Sequence, residues 1–251
     1  MPASLMASGE LLYWIAAIVL IMARVGLIVF FMPGIGEQAV PVRVRAMIVL
    51  VFSISLAASG LIQFPVITGM GDFFGLFLAE VTIGIFFGLL LRVAIWMLAI
   101  CGTIIAQVIG LAQMLGIALE TEAQTITANA LSMAGAAMLL TMDYHVSVFV
   151  RMTTIYEDMP AGALGTLEPM FLVEHAFEAF AIAIMLAWPF VAVNLLYNIC
   201  LGFINKALPS LMVAFVGAPF MIGAGILLLA FSIATILVVW ADKVPAIIGW
   251  L

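Results

Sequence analysis

Apolar residues in this chain fall in long uncharged runs, near 11–32, 46–64, 73–100, 128–150, 179–203 and 210–240, separated by short polar breaks. A helix needs about 20 predominantly apolar residues to cross the hydrocarbon of a bilayer, so the pattern predicts six hydrophobic helical segments. The runs are continuously apolar and lack the residue-by-residue alternation of a membrane β-barrel, which leaves helices as the structure that satisfies its own backbone in lipid. Two runs are long for a single span. Ala207 to Ala241 carries no charge and holds Gly217, Pro219, Gly223 and Gly225, so a break is expected at Pro219. Val93 to Leu119 is punctuated by Gly102, Gly110 and Gly116, and the polar residues from Glu120 to Asn129 read as a connector.

Composition sharpens the class. Of 251 residues 67% are hydrophobic and 8% charged, with a mean hydropathy of +1.39, far above soluble domains. The reading is an all-α integral membrane protein forming a single domain over residues 1–251. Seven Lys and Arg against 13 Asp and Glu, with no basic run, give nucleic acid nothing to bind. The first charge is Glu10, so the N-terminal segment lacks a basic signal-peptide region and is expected to be retained. Arg43 and Arg45 mark the first loop as cytoplasmic. Five acids from Glu157 to Glu178, without Lys or Arg, mark an external one, and Lys206 returns to the cytoplasm.

Candidate chemistry is sparse. Cys101 and Cys200 lie in apolar runs and read as small buried hydrophobes. His145 and His175 are placed in different loops without ligand-spaced companions, which supports neither a metal, a cofactor nor a catalytic pair. The chain is read as a non-enzyme, and because the sequence has no nucleotide-binding loop its energy is expected to come from elsewhere. Arg24, Glu80 and Arg92 interrupt apolar helices, and such residues usually face a bundle interior or one another. Pairing of Glu80 with an Arg of another helix is the leading reading. The alternatives are Arg side chains reaching to the headgroups, or an ion-coupled small-molecule transporter built on Glu80. Gly84 and Gly88 form a GxxxG, and Ala128, Ser132 and Ala136 a small-residue row, each allowing close helix approach. Met114, Met133 and Met138 flank the polar connector and could make a deformable seal.

Three blocks together resemble the FliR family, the export-gate component of the flagellar type III secretion apparatus. The first is ARVGLIVFFMPGIGEQAVPVRVRAMIVL, with Arg24, Pro33, Val40, Pro41, Arg43 and Arg45. The second is CGTIIAQVIGL, with Gly102, Gly110 and Leu111, followed by DYHV with His145. The third is YNICLGFINKALPSLMVAFVGAP, where Asn198, Leu201, Gly202, Asn205, Lys206, Pro209, Gly217 and Pro219 keep the family's spacing. The resemblance implies a subunit that joins FliP and FliQ and other export-apparatus proteins in a helical hetero-oligomeric ring at the inner membrane of the basal body. Through that ring unfolded flagellar subunits would pass. It implies bent or broken hairpins covered by lipid or by like subunits. It also implies a gate or plug in the loop Gly110 to Glu122, which includes Met114, Gly116 and Glu120. Asn198, Asn205 and Lys206 are expected to cap and anchor a hairpin turn, with Pro209 opening the next helix. The injectisome counterpart is the alternative within the same machinery.

Overall fold

The computed structural model describes residues 3–62, 64–65, 67–110, 120–207 and 213–249. Among them every regular element is helical: α1 (Ala3–Phe31), α2 (Val42–Ser59), α3 (Met70–Ile109), α4 (Glu120–Thr141), α5 (Tyr144–Asp158), a single 3-10 turn (Leu164–Thr166), α6 (Pro169–Ala207) and α7 (Val213–Ile248). Five helices, α1, α2, α3, α6 and α7, are long and apolar enough to cross a membrane. The fourth predicted segment is a pair, with α4 and α5 bent by 69° where Asp143 adopts a left-handed φ of 55°, and counting that pair as one span gives the expected six. The chain is an all-helical membrane protein.

Of the breaks the sequence reading placed, the one at Gly110 is present and the one at Pro219 is not. α7 runs without interruption through Pro219 and again through Pro245, and α6 runs through Pro189. In an apolar helix the missing amide of a proline is tolerated because the turns around it readjust to satisfy the freed carbonyl. Gly217 has a different use: a Cβ there would lie 2.3 Å from the Tyr197 hydroxyl oxygen, so its bare backbone leaves room for the tip of that α6 side chain. Gly102 likewise does not punctuate α3. It is buried against α4, where an added Cβ would lie 2.8 Å from Ala128 Cα. α3 ends only at Gly110, whose φ of +78° suits a residue without a side chain. Glu120 and Glu122 belong to the first turn of α4 rather than to an irregular connector. His145 and His175 sit in α5 and α6, not in loops, and Cys200 is exposed while Cys101 is buried.

The chain divides into two compact units, one of residues 1–92, 139–174 and 250–251 and one of residues 93–138 and 175–249. In the first, α1 presents Leu20, Ile21, Val25, Ile28 and Val29 to the interior, and Phe52 of α2 meets Phe149 of α5 edge-on at 5.1 Å between centroids. In the second, the largest fully buried side chain is Trp240, whose Nε1–H donates to the Ala94 carbonyl at 2.8 Å. Its ring lies over Gly135, where a Cβ would meet the indole at 3.1 Å. Replacing Trp240 by Phe removes that bond and opens a void, and should lower unfolding free energy in detergent by about 2 kcal/mol. A denaturant titration that finds the variant unchanged would mean that the indole is not an anchor of this unit.

Candidate functional site: a buried charge node in the first unit

Glycine spacing decides where the node forms. On α3, Gly84 and Gly88 lie one and two turns beyond Glu80, and both are pressed against α1. A Cβ on Gly84 would stand 2.7 Å from the Arg24 carbonyl oxygen, and one on Gly88 2.9 Å from the Phe31 ring. Small residues at four-residue spacing thus bring two backbones close enough for side chains one turn away to meet. The partner helix of this GxxxG is one of the chain's own.

Arg24 and Glu80 are both fully buried. Arg24 Nε donates to Glu80 Oε2 at 2.7 Å and Nη2 to Oε1 at 2.9 Å, the two parallel bonds of a fork against a carboxylate. The rest of the guanidinium is used as well: Nη1 donates to the Met159 carbonyl at 2.8 Å, Nη2 also reaches the Pro160 carbonyl at 3.4 Å, and the Tyr156 ring lies 3.9 Å from Cζ. Glu80 accepts two further bonds, from the Tyr156 hydroxyl at 3.2 Å and from the Gly162 amide at 2.9 Å. Gly162 has a φ of +78° and packs on Leu76, which aims its N–H at the carboxylate. Burying an ion pair is tolerable only with this kind of complete satisfaction. The node ties α1, α3, α5 and the connection after α5 together.

A second pair lies in the same unit. Arg92 Nη1 donates to Glu37 Oε1 at 2.6 Å, with both side chains about one quarter exposed. Glu37 follows the turn of Pro33 to Gly36. There Gly34 has a φ of +86°, and a Cβ on Gly36 would stand 2.4 Å from the Phe30 carbonyl oxygen. Arg45 closes the turn by donating to the Gly36 carbonyl at 3.2 Å while its guanidinium lies 5.1 Å from the centre of the Phe30 ring.

Of the residues singled out from sequence, Arg24 and Glu80 meet as expected, and Arg92 is ion-paired rather than reaching to headgroups. Pro41 precedes the first residue of α2 and Arg43 is exposed in its first turn. Asn198 lies well inside α6 and donates to Asn194, so it caps no turn, whereas Asn205 and Lys206 occupy the last turn of α6, both exposed. Lys206 there has the sign favoured at a helix C-terminus. Gly202 is open, with nothing within 4 Å of an added Cβ. Gly217 and Pro219 are within α7. Met114, Gly116 and Pro209 lie outside the described residues, as do the side chains of Glu120 and Glu122. Sequence reasoning missed Tyr156, Gly162 and Glu37. Only Glu37, an acid in the loop that also carries Arg43 and Arg45, left a signal in the sequence, its charge, that marks it as an ion-pair partner. Among the described residues no group of three or more His, Cys, Asp or Glu side chains could hold a metal ion.

The node is a structural clamp, and the comparisons with known proteins say in what kind of machine. The family model of bacterial export proteins, family 1, matches residues 15–246. The chain belongs to this family, that of FliR. It is 31% identical over 232 residues to the flagellar biosynthetic protein FliR of Caulobacter vibrioides, covering 89% of this chain and 91% of that protein. It is 23% identical to FliR of Aquifex aeolicus (87% of this chain, 86% of that one) and 25% identical to FliR of Escherichia coli K12 (89% and 86%). The family is one of export proteins, not of enzymes.

Proposed function

We propose that this FliR-family chain is a pore-forming subunit of the flagellar type III export channel. It assembles with FliP and FliQ in the bacterial inner membrane at the basal body and passes unfolded flagellar subunits outward. The observation that carries the reading is the family match across residues 15–246 together with a flagellar relative at 31% identity over nearly the whole chain. All three relatives compared are flagellar proteins, which favours the flagellar over the injectisome branch. On this reading residues 1–251 work as one export-gate domain.

The surface supports assembly. Only 17% of the most apolar stretch of α7 and 22% of those of α2 and α6 are buried within the chain. Phe177, Phe203, Phe220 and Phe231 are each at least 70% exposed. Faces this apolar are covered either by lipid or by like helices of other subunits. The charge node speaks against the transporter alternative. A coupling carboxylate must be reachable by its ion, and Glu80 is fully buried with both oxygens engaged twice. Gating belongs on this reading to the stretch from Gly110 to Glu122, with Met114, Gly116 and Glu120 in it, at the end of the long helix α3.

Gentle detergent extraction of tagged protein from its native membrane, followed by mass spectrometry of the intact complex, tests the reading. Several copies each of two small apolar partners are expected beside this chain. A lone monomer or homodimer would refute it.

A further inference from the structure

Within the second unit, the end of α3, the middle of α6 and the first turns of α7 line an open cavity of about 260 Å³ in which Gln107 and Asn198 are exposed. Its polar wall is made by Gln107, Asn194, Tyr197 and Asn198, and no charged residue lines it. Four neutral hydrogen-bonding side chains gathered on helices otherwise built of apolar residues need an account.

The bonding pattern inside the cavity is specific. Asn198 Nδ2 donates to the Asn194 main-chain carbonyl at 2.8 Å and to Asn194 Oδ1 at 3.0 Å. That leaves Asn194 with its amide N–H groups to donate and Asn198 with its Oδ1 to accept, unpaired among the described residues. Gln107 and the Tyr197 hydroxyl add further donors and acceptors. One free donor beside one free acceptor is the complement of a peptide group, which offers a C=O and an N–H.

Other occupants fit less well. An ion would find no counter-charge in the wall, and a bare charge in apolar surroundings is costly. A lipid acyl chain would strand the amides without partners. A partner helix bonds its backbone N–H and C=O groups within itself and has none to offer the amides. An extended chain has both free.

We infer that this amide-lined cavity is a contact site for the main chain of an extended polypeptide, and, resting on the channel reading above, that the polypeptide is the exported chain in transit. Amide side chains bond the backbone whatever the sequence, so the site holds many substrates with equal, weak grip. The lack of charge keeps acidic and basic substrates from being trapped.

The test uses the full chain in its native membrane, with a photoreactive benzoylphenylalanine placed at Tyr197 and, as a control, at the exposed Phe203. The probe is an exported flagellar subunit fused to a tightly folded domain that stalls it in the channel. A crosslink from position 197 to the stalled chain, absent from position 203 and kept when the substrate sequence at the stall is changed, is expected. Crosslinks from 197 only to neighbouring membrane subunits or lipid would overturn the inference. In parallel, N194L/N198L should slow secretion about tenfold, the loss of two modest hydrogen bonds, with complex yield unchanged. Undiminished secretion by that variant would also overturn it. Should cells lacking this chain still export the subunit, the channel reading itself fails, an outcome distinct from failure of the site alone.

Discussion

Replacing Glu80 by Leu is expected to cost the folded chain about 3–5 kcal/mol, because it leaves the Arg24 guanidinium buried without a counter-charge. Arg24→Leu should cost about as much. The double variant should cost less than the sum of the two, since no charge is stranded when both are gone, and a coupling of about 1–3 kcal/mol is expected. It should still fall short of the unaltered protein: the Tyr156 hydroxyl, the Gly162 amide and the Met159 carbonyl would each have lost a partner. Glu80→Gln keeps one oxygen, enough for the Gly162 amide or the Tyr156 hydroxyl but not for both, and loses the charge, so it should fall between the Leu variant and the unaltered protein. Denaturant titrations in micelles, with accumulation in membranes as a second readout, measure this. Two small and strictly additive losses would mean that the node is not cooperative.

The second large effect is steric. Gly84→Ala would drive a methyl group to 2.7 Å from the Arg24 carbonyl oxygen, a backbone atom that can move only if α1 moves. Overpacking of this kind costs about 1–3 kcal/mol, and here it also pulls the Arg24 fork off Glu80, so a loss at or above the upper end is expected. Gly202→Ala is the matched comparison. Nothing lies near its added Cβ, and replacing glycine inside a helix gains about 0.5–1 kcal/mol. The isolated chain should therefore be slightly stabilised by it. If Gly84→Ala leaves the unfolding midpoint in place, the close α1–α3 crossing is wrong. If Gly202→Ala spares the chain but lowers the yield of the assembled complex, Gly202 is a point of contact with another subunit.

The sequence made some of this plain and hid the rest for physical reasons. Apolar runs of about 20 residues are a strong signal, and the helices follow them. That Glu80 needs an Arg was legible, because a short carboxylate cannot reach water from inside an apolar helix. Arg24 was the candidate on another segment, since Arg92 shares the run 73–100 with Glu80; the crossing at Gly84 and Gly88 that brings the two together was not visible. Pro219 was misread because proline breaks helices when freed carbonyls cannot be satisfied nearby, and an apolar packed helix supplies that satisfaction. Gly102 and Gly217 were read as loosening their helices when each is a place where another element comes close. The Tyr156 and Gly162 contributions were beyond reach, since both depend on where the chain after α5 turns back.

The Arg24–Glu80 fork also sets a schedule for making the protein. Its two members are 56 residues apart, and the Met159 carbonyl lies 135 residues beyond Arg24. At a synthesis rate of about 5–20 residues per second, Arg24 leaves the ribosome roughly 3–11 s before Glu80 does. For that interval the nascent first helix carries a lone cation that the bilayer interior disfavours. Its final seating must wait for α3, and the lock around it closes only when the stretch ending at Gly162 has also been delivered. Insertion of α1 is therefore provisional by construction, held open to correction until more than half of the polypeptide has been translated.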